Sequence, residues 1–294
     1  MVRNHWLIQS SGIRRSDDAI RKLLTDIEAA DCIWSDFGVL PFTNEITGWE
    51  NIPLDRNVFV HCSVKVLEIF NSDAKATEIF PHAPSAFFLY DSIKEGLFYD
   101  KKRFDQAYYA EMPLDNGTLR ELLLNGDCCV LPLHICLNTT YSEDLFVKPT
   151  SDLKLFTAGV LEKGKTLKEM LSEQTTDSRL ESRRCYTVMF APVRNDILAE
   201  YRFFVVNEAV CAGSQYRKDG QLAYSSDVPY SVWKYAGELA VLYQPAEAFV
   251  MDLAVLPNDD IKIVEYNCIN CSGVYDADVT KLAMALRQIK RREF

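Results

Sequence analysis

The sequence predicts an α+β fold, and three stretches carry that prediction. Residues 249–267 read as two strands, 249–255 and 261–267, joined by the polar turn 257–260. Residues 198–216 alternate apolar side chains to either face, with Asn207 and Glu208 marking a tight hairpin between two further strands. Between these hairpins, residues 228–243 repeat Val232, Tyr235, Ala236, Leu239 and Leu242 at helical spacing, which predicts an amphipathic helix with that stripe inward.

A chain of 294 residues buries a full core and holds two or three structural units, placed at 1–100, 101–190 and 191–294. At 48% hydrophobic and 25% charged, the composition is that of a soluble globular protein. No apolar run is long enough to cross a bilayer, and the start of the chain lacks the apolar core and small-residue cleavage site of a signal peptide. Nine cysteines, an odd number that includes the neighbours Cys128 and Cys129, do not form a disulfide framework and fit a reducing cytoplasm. A net charge of -10 argues against non-specific nucleic-acid binding, so any phosphate site must be a local basic cluster in an acidic surface.

Residues 1–100 read as a small α/β unit. Strands are predicted at 5–9, 32–40, 57–61 and 86–90, with helices at 19–30, capped from Ser16, Asp17 and Asp18, and at 64–70. Pro81, Pro84 and the charged stretch 99–104 suggest the boundary near residue 100. His5, His61 and His82 are scattered singly and read as structural. The second unit follows with a helix at 119–124 and the apolar run 128–133. A strand at 144–149 then ends in Lys148 and Pro149, and a polar turn carries Lys154. A strand at 155–161, a helix at 166–172 capped by Thr166, a loop at 175–184 and a strand at 185–192 that stops at Pro192 complete it. The third unit adds, after the second hairpin, a turn at Lys218, Asp219 and Gly220. A closing helix at 279–290 is capped by Asp276 or Asp278, its basic end (Arg287, Lys290, Arg291, Arg292) complementing the helix dipole and facing water.

The polar residues of these strands suggest phosphate chemistry. If 249–255 and 261–267 pair, Asp252 sits across from Glu265 and Asn267, and three oxygen ligands on an apolar ribbon suit Mg²⁺. Lys148, Lys154, Arg202 and Arg217 lie at or beside strand ends ahead of that site. Phosphoryl transfer needs such cations to hold a triphosphate and absorb developing charge. The strand ending at Pro192 leaves backbone groups free for an adenine edge.

The order of these features resembles the ATP-grasp superfamily, and within it the phage and bacterial clade in which a usual arginine gives way to lysine. The segments FVKPTSDLK, VMFAPVRNDILAEYRFFVV, FVMDLAVL and IKIVEYNCINCSG carry the likeness, over roughly residues 100–294. The resemblance implies an ATP-grasp fold, two α+β lobes (101–190 and 191–294) clasping ATP, behind a small α/β domain. It implies that Lys148 contacts the α- and β-phosphates and that Lys154 is the lid lysine. Ala191, Pro192 and Val193 would form the adenine hinge, Glu200 would reach the ribose or set that hinge, and Arg202 would contact phosphate or acyl phosphate. Asp252, Glu265 and Asn267 would hold Mg²⁺, and Arg202, Lys262 and Arg217 would be the catalytic set. Many relatives have an arginine two residues before the aspartate; here that position is Val250. Lys262 is the lysine on the adjoining strand, and a bulge or twist is needed to bring it round to the side of Glu265. Ser214, Tyr216, Arg217 and Asn270 are the expected acceptor side.

The implied function is an ATP- and Mg²⁺-dependent carboxylate–amine ligase working through an acyl phosphate, with peptides, proteins or small molecules as substrates and without nucleic-acid or membrane partners. An ATP-binding assembly factor without ligation is the alternative. Cys268 and Cys271 form a Cys-x-x-Cys motif with no second pair, so metal or redox chemistry there is not expected. No serine has a Gly-x-Ser-x-Gly context and no His-Arg-Asp loop is present.

Overall fold

The structure, a computed structural model of the chain, describes residues 5–9, 17–40, 46–48, 58–64, 66–67, 98–151, 155–176, 180 and 182–289, with the backbone only at 17–19. The strand expected at 86–90, the prolines at 81 and 84, His82, Ser16, Lys154 and the basic residues after 289 lie outside these. So does most of the helix expected at 64–70, of which residues 64, 66 and 67 are described.

The N-terminal sheet is formed by β1 (His5–Gln9), β2 (Ile33–Val39), β3 (Ile46–Thr47) and β4 (Val58–His61), ordered β3-β2-β1-β4. Both neighbours of β1 run parallel to it, and helix α1 (Asp17–Ala29) makes the crossover to β2. His5 is buried and bonded to Ser35 Oγ at 2.8 Å, a structural role. The chain then passes through α2 (Gln106–Tyr109), which Asp105 caps by accepting from the Ala107 N–H, and a small ribbon of β5 (Pro113–Leu114) and β6 (Gly117–Thr118).

A second sheet, wholly antiparallel, has the order β7-β10-β8-β9. It contains β7 (Cys129–Pro132), β8 (Leu145–Pro149), β9 (Gly159–Leu161) and β10 (Thr187–Pro192), with α3 (Leu133–Cys136) and α4 (Leu167–Leu171) beside it. Its core joins Val147, Val188 and Phe190 to Leu133, Leu161, Leu167 and Leu171. Thr166 caps α4, as the sequence predicts, and Glu169 returns the bond to make the cap reciprocal.

Three expectations are corrected in this region. The strand expected over 155–161 forms only at β9, because Pro149, where its partner would continue, has no N–H to offer; Leu155 and Phe156 are buried from an irregular segment instead. The helix expected at 119–124 is a single 3₁₀ turn, Leu119–Leu122, because Leu123 and Leu124 leave it to pair with Ile263. The loop expected at 175–184 is helical at Leu180 and Ser182, and the buried Leu180 side chain joins the core.

The largest sheet is antiparallel with order β13-β12-β11-β14-β15. Its strands are β11 (Ala199–Val206), β12 (Ala209–Lys218), β13 (Gln221–Ser225), β14 (Ala248–Val255) and β15 (Ile261–Cys268). The β11–β12 turn places Asn207 and Glu208 at φ 48° and 68°, and the β12–β13 turn places Asp219 and Gly220 at 48° and 75°. Consecutive left-handed residues match the twist of tight hairpins, which is why polar residues and glycine occupy them. Helix α5 (Tyr230–Ala240) covers one face, packing Val232, Ala236 and Leu239 on Tyr201, Phe203, Val205, Met251 and Leu253. Leu242, expected inward, is 43% exposed because α5 ends before it.

The opposite face is divided. Phe204, Val206, Ala248 and Val250 pack against Trp6, Ile8, Leu23 and Ile27 of the N-terminal unit and against the closing helix α6 (Val279–Leu286). Asp278 caps α6. Arg287, expected to face water, is only partly exposed. It donates from Nη2 to the carbonyls of Ala30 (2.7 Å) and Asp31 (2.8 Å), satisfying orphan acceptors just beyond α1. Farther along the same face, Ala254 and Leu256 pack with Leu124. Among the described residues no helix is long and apolar enough to cross a membrane.

Candidate active site

Between those two apolar patches lies a polar window. Arg202 pairs directly with Asp252 across β11 and β14, and Asp252 with Glu265 across β14 and β15. Directly paired residues share a face, so three strands align one row of charged side chains. Asn267, opposite Val250, extends the row.

The contacts are short. Arg202 grips Asp252 bidentately, Nε to Oδ1 at 2.8 Å and Nη2 to Oδ2 at 2.7 Å, and its Nη1 donates to the Gly273 carbonyl at 3.3 Å. Lys148, from the second sheet, reaches across the seam to Glu265 Oε2 at 2.6 Å. Asn267 Nδ2 donates to Asp252 Oδ2 at 3.1 Å and to Glu265 Oε1 at 3.0 Å, so one amide tethers both carboxylates. Burial pushes the Glu265 carboxyl up, but the Lys148 ammonium and the hydrogen bonds from Lys148 and Asn267 outweigh it and hold it at about 2. Burial acts against the charge on Arg202, and the Asp252 carboxylate overcomes it, so the guanidinium is held even more firmly protonated than usual. Burial also raises Asp252; with a bidentate arginine that cannot give up its proton, the pair is an ion pair. Next to it, burial and the nearby Asp252 and Glu200 carboxylates raise Tyr216 well above the ordinary phenol range, and its neutral hydroxyl donates to Glu200 Oε2 at 2.5 Å.

Lys262 stands on the site face. A bulge in the β14–β15 register between Asp252 and Leu253 puts Val264 and Glu265 on one side in succession, and Lys262 pairs with Ala254, on the face of Asp252. Its Nζ donates to the Glu121 carbonyl at 3.1 Å, at the edge of the window. Val250 is fully buried against the N-terminal unit. Arg217 is about half exposed and lies 3.6 Å from Glu200 Oε1, on the outer side. Ala191, Pro192 and Val193 follow the point, Phe190, where β10 stops pairing with β7, while β8 still pairs through Pro192. That stretch therefore lacks a strand partner on the β7 side. Ser214 is buried opposite Arg202. Asn270, expected on the acceptor side, instead fastens the N-terminal unit: Nδ2 donates to the Val60 carbonyl at 2.6 Å and Oδ1 accepts from the Phe98 N–H at 2.8 Å. Lys154 lies outside the described residues.

Sequence reasoning missed Tyr275. Its ring stacks on Tyr216 with centroids 5.4 Å apart, and the Arg202 guanidinium lies 5.0 Å from its centroid. It sits in an irregular loop without periodicity, and no local signal marks it.

Two carboxylates beside an amide form an oxygen-rich donor set that fits a hard cation such as Mg²⁺, which takes few protein carboxylates and completes its shell with water and phosphate. As arranged, Lys148 and Arg202 supply the compensating charge, and Asn267 turns its nitrogen toward both acids. A ligating role asks that amide to present its oxygen instead. Among the described residues, an open depression of about 480 Å³, lined by Ser35, Asp36, Phe37, Gly38, Thr47 and Gly48, contains no basic side chain. It is a poorer candidate for a triphosphate than the seam at Lys148.

Comparison with known proteins bears on this arrangement. The crystal structure of D-cycloserine synthetase DcsG superposes with a TM-score of 0.52 at 12% identity, covering 97% of this chain and 99% of that one. That of a RimK domain ATP-grasp protein from Sphaerobacter thermophilus does so with a TM-score of 0.50 at 11% identity, covering 96% and 99%. At such identities the likeness is one of fold, and it runs the length of the chain. Among curated proteins, none matches the sequence. The model of the ATP-grasp domain of the arginine-to-lysine clade, family 2, matches residues 133–285, just over half of the chain and all of the strands that carry Lys148, Arg202, Asp252 and Glu265. The chain has the α+β ATP-grasp fold and belongs to family 2 of the arginine-to-lysine clade of ATP-grasp domains.

Proposed function

We propose that this ATP-grasp ligase joins a carboxylate to an amine through an acyl phosphate, in the cytoplasm, with a peptide or protein carboxylate among its candidate substrates. The supporting observation is the seam: Lys148 of the second sheet meets Glu265 of the third at 2.6 Å, beside the Asp252–Arg202 pair. Cations and acids from different sheets converge where a triphosphate and its metal need both.

A carboxylate oxygen of the acid attacks the γ-phosphorus of ATP, the bond to the β–γ bridging oxygen breaks, and ADP leaves. The amine nitrogen then attacks the acyl carbon, phosphate departs and the nitrogen loses a proton. Lys148 and Lys154 hold phosphate oxygens as point charges, and Ala191, Pro192 and Val193 offer backbone groups to the adenine edge. Glu200, which accepts from the Tyr216 hydroxyl, reaches the ribose or sets the hinge side. Arg202 orients Asp252 and faces the charge that develops on the transferred group; Lys262 and Arg217 flank it. Asp252, Glu265 and Asn267 would hold Mg²⁺, which when bound would neutralise phosphate charge. Residues 101–190 and 191–294 act as the two lobes, with 1–100 as the preceding domain.

The test is ADP formation by the full chain across pools of acids and amines. The reading expects turnover that needs both an acid and an amine and that falls at least a hundredfold in Lys148→Met and Asp252→Asn. Failure of the wild type to bind ATP with Mg²⁺ would overturn it. Tight ATP binding with no ADP formed from any pool would favour the assembly-factor alternative.

A further inference from the structure

Three tyrosines form a ladder from the site to the surface. Tyr216 on β12 stacks on Tyr275 at 5.4 Å and 16°, and Tyr224 on β13 stacks on Tyr275 at 5.1 Å and 18°. Their exposure increases outward: Tyr216 is buried, Tyr275 half-buried, and Tyr224 is 53% exposed. At the inner end the Arg202 guanidinium lies 5.5 Å from the Tyr216 centroid and 5.0 Å from that of Tyr275. At the outer end Leu222 is also exposed, two residues from Tyr224 and so on the same face of β13.

This arrangement has a cost. Tyr275 is held at φ 49°, a backbone region that a bulky side chain enters only under constraint. β13 is an edge strand, QLAYS, with no charge, no proline and two large apolar side chains in water, the features that exposed edges normally avoid. A structural hairpin contact does not require the outer ring to stay open, or the stack to end against the arginine beside Asp252.

We infer that Tyr224 and Leu222 form the acceptor-side subsite of the reaction proposed above, and that it selects a substrate presenting a flat aromatic side chain, which continues the ladder by one ring. Two ring steps of about 5 Å put Tyr224 about 10 Å at most from the Arg202 guanidinium, and a ring stacked beyond it about 15 Å at most. An extended chain advances about 3.3–3.6 Å per residue, so the selected ring belongs to a residue up to about four positions from the reacting carboxylate. The substrate class is therefore a short peptide segment with an aromatic residue near its acidic one. This inference rests on the ligase reading for the identity of the reacting end.

The experiment measures binding of the peptides acetyl-Xaa-Gly-Glu-Gly-amide, with Xaa as Phe, Leu, Lys or Ala, to the full chain by calorimetry. It is run with Mg²⁺ and a non-hydrolysable ATP analogue, on the wild type, Tyr224→Ala and Tyr224→Phe. The wild type should prefer the Phe peptide over the Leu and Lys peptides by about three- to tenfold, the range for one stacked ring. Tyr224→Ala should lose that preference and Tyr224→Phe keep it. Equal binding of all four peptides by the wild type, a Lys preference, or a Phe preference that persists in Tyr224→Ala overturns the inference. A wild type that binds no ATP analogue fails the ligase reading instead, whereas one that binds it without ring selectivity fails only the ladder.

Discussion

Arg202 and Asp252 are both buried, and each is the other's main compensating charge. Removing one side of such a pair strands a charge where water cannot reach it, at a typical loss of about 3–5 kcal/mol. Asp252→Ala should lower unfolding free energy in urea by about that much, and the double variant Arg202→Met/Asp252→Leu should regain most of it. A single-variant loss that the second substitution leaves unrelieved would show that the pair is not what holds the site. Glu265 behaves differently because its partner approaches from another sheet. Its carboxyl, held at about 2, lies below the value of about 4.3 it would take in an unfolded chain. A depressed acid stabilises the fold fully above the unfolded value, and the contribution disappears as pH falls toward the folded one. For metal-free protein, the stability advantage of wild type over Lys148→Met should therefore shrink between pH 5 and pH 2. An advantage constant over that window would mean that Lys148 does not set the Glu265 titration.

At the level of strands and turns, the third sheet is legible in the sequence because its signals are local. The β14–β15 and β11–β12 hairpins, the face assignments of Tyr201, Phe203 and Val205, and the stripe Val232, Ala236, Leu239 all follow from period and turn chemistry. What escapes depends on partners distant in sequence. The strand over 155–161 runs shorter than its pattern suggests because Pro149 limits its neighbour, and nothing near Arg287 announces that the end of α1 will receive it. The bulge that turns Lys262 toward Asp252 is a property of the pairing of two strands, and one strand's sequence does not display it. The Lys148–Glu265 contact belongs to the same class, and it has a consequence for binding. On the proposed reading, a cation arriving without nucleotide would have to displace Lys148 from Glu265, whereas nucleotide and Mg²⁺ together would provide each with a new partner. Lys148→Met should bind Mg²⁺ alone about tenfold more tightly and ATP with Mg²⁺ about tenfold more weakly, each the equivalent of one charge-assisted contact. Calorimetric titration of both checks it, and a variant that weakens both would contradict the exchange.

Over the whole molecule, the N-terminal unit is part of the ligase core. Trp6, Ile8, Leu23 and Ile27 share one apolar cluster with Phe204, Val206, Ala248, Val250 and helix α6, and Asn270 pins β4 to the loop that follows β15. This packing gives a physical account of valine at position 250, where the resemblance to the ATP-grasp superfamily implies an arginine. A side chain pointing off β14 there enters the interface with the N-terminal unit, and Val250 has no exposure at all. Lys262, on the other side of Asp252, comes from a strand whose neighbour Glu121 gives its ammonium a carbonyl. An arginine at position 250 should therefore fail in this chain. Val250→Arg places an unpaired charge and excess volume in a closed core, two effects that together cost about 4 kcal/mol or more. Protein carrying it should be largely unfolded or aggregated in circular dichroism and size-exclusion measurements, while Val250→Ile at the same position should remain folded. A well-folded Val250→Arg protein with undiminished nucleotide binding would mean that the cluster around Trp6 opens readily, and that the N-terminal unit does not determine which cation serves the site.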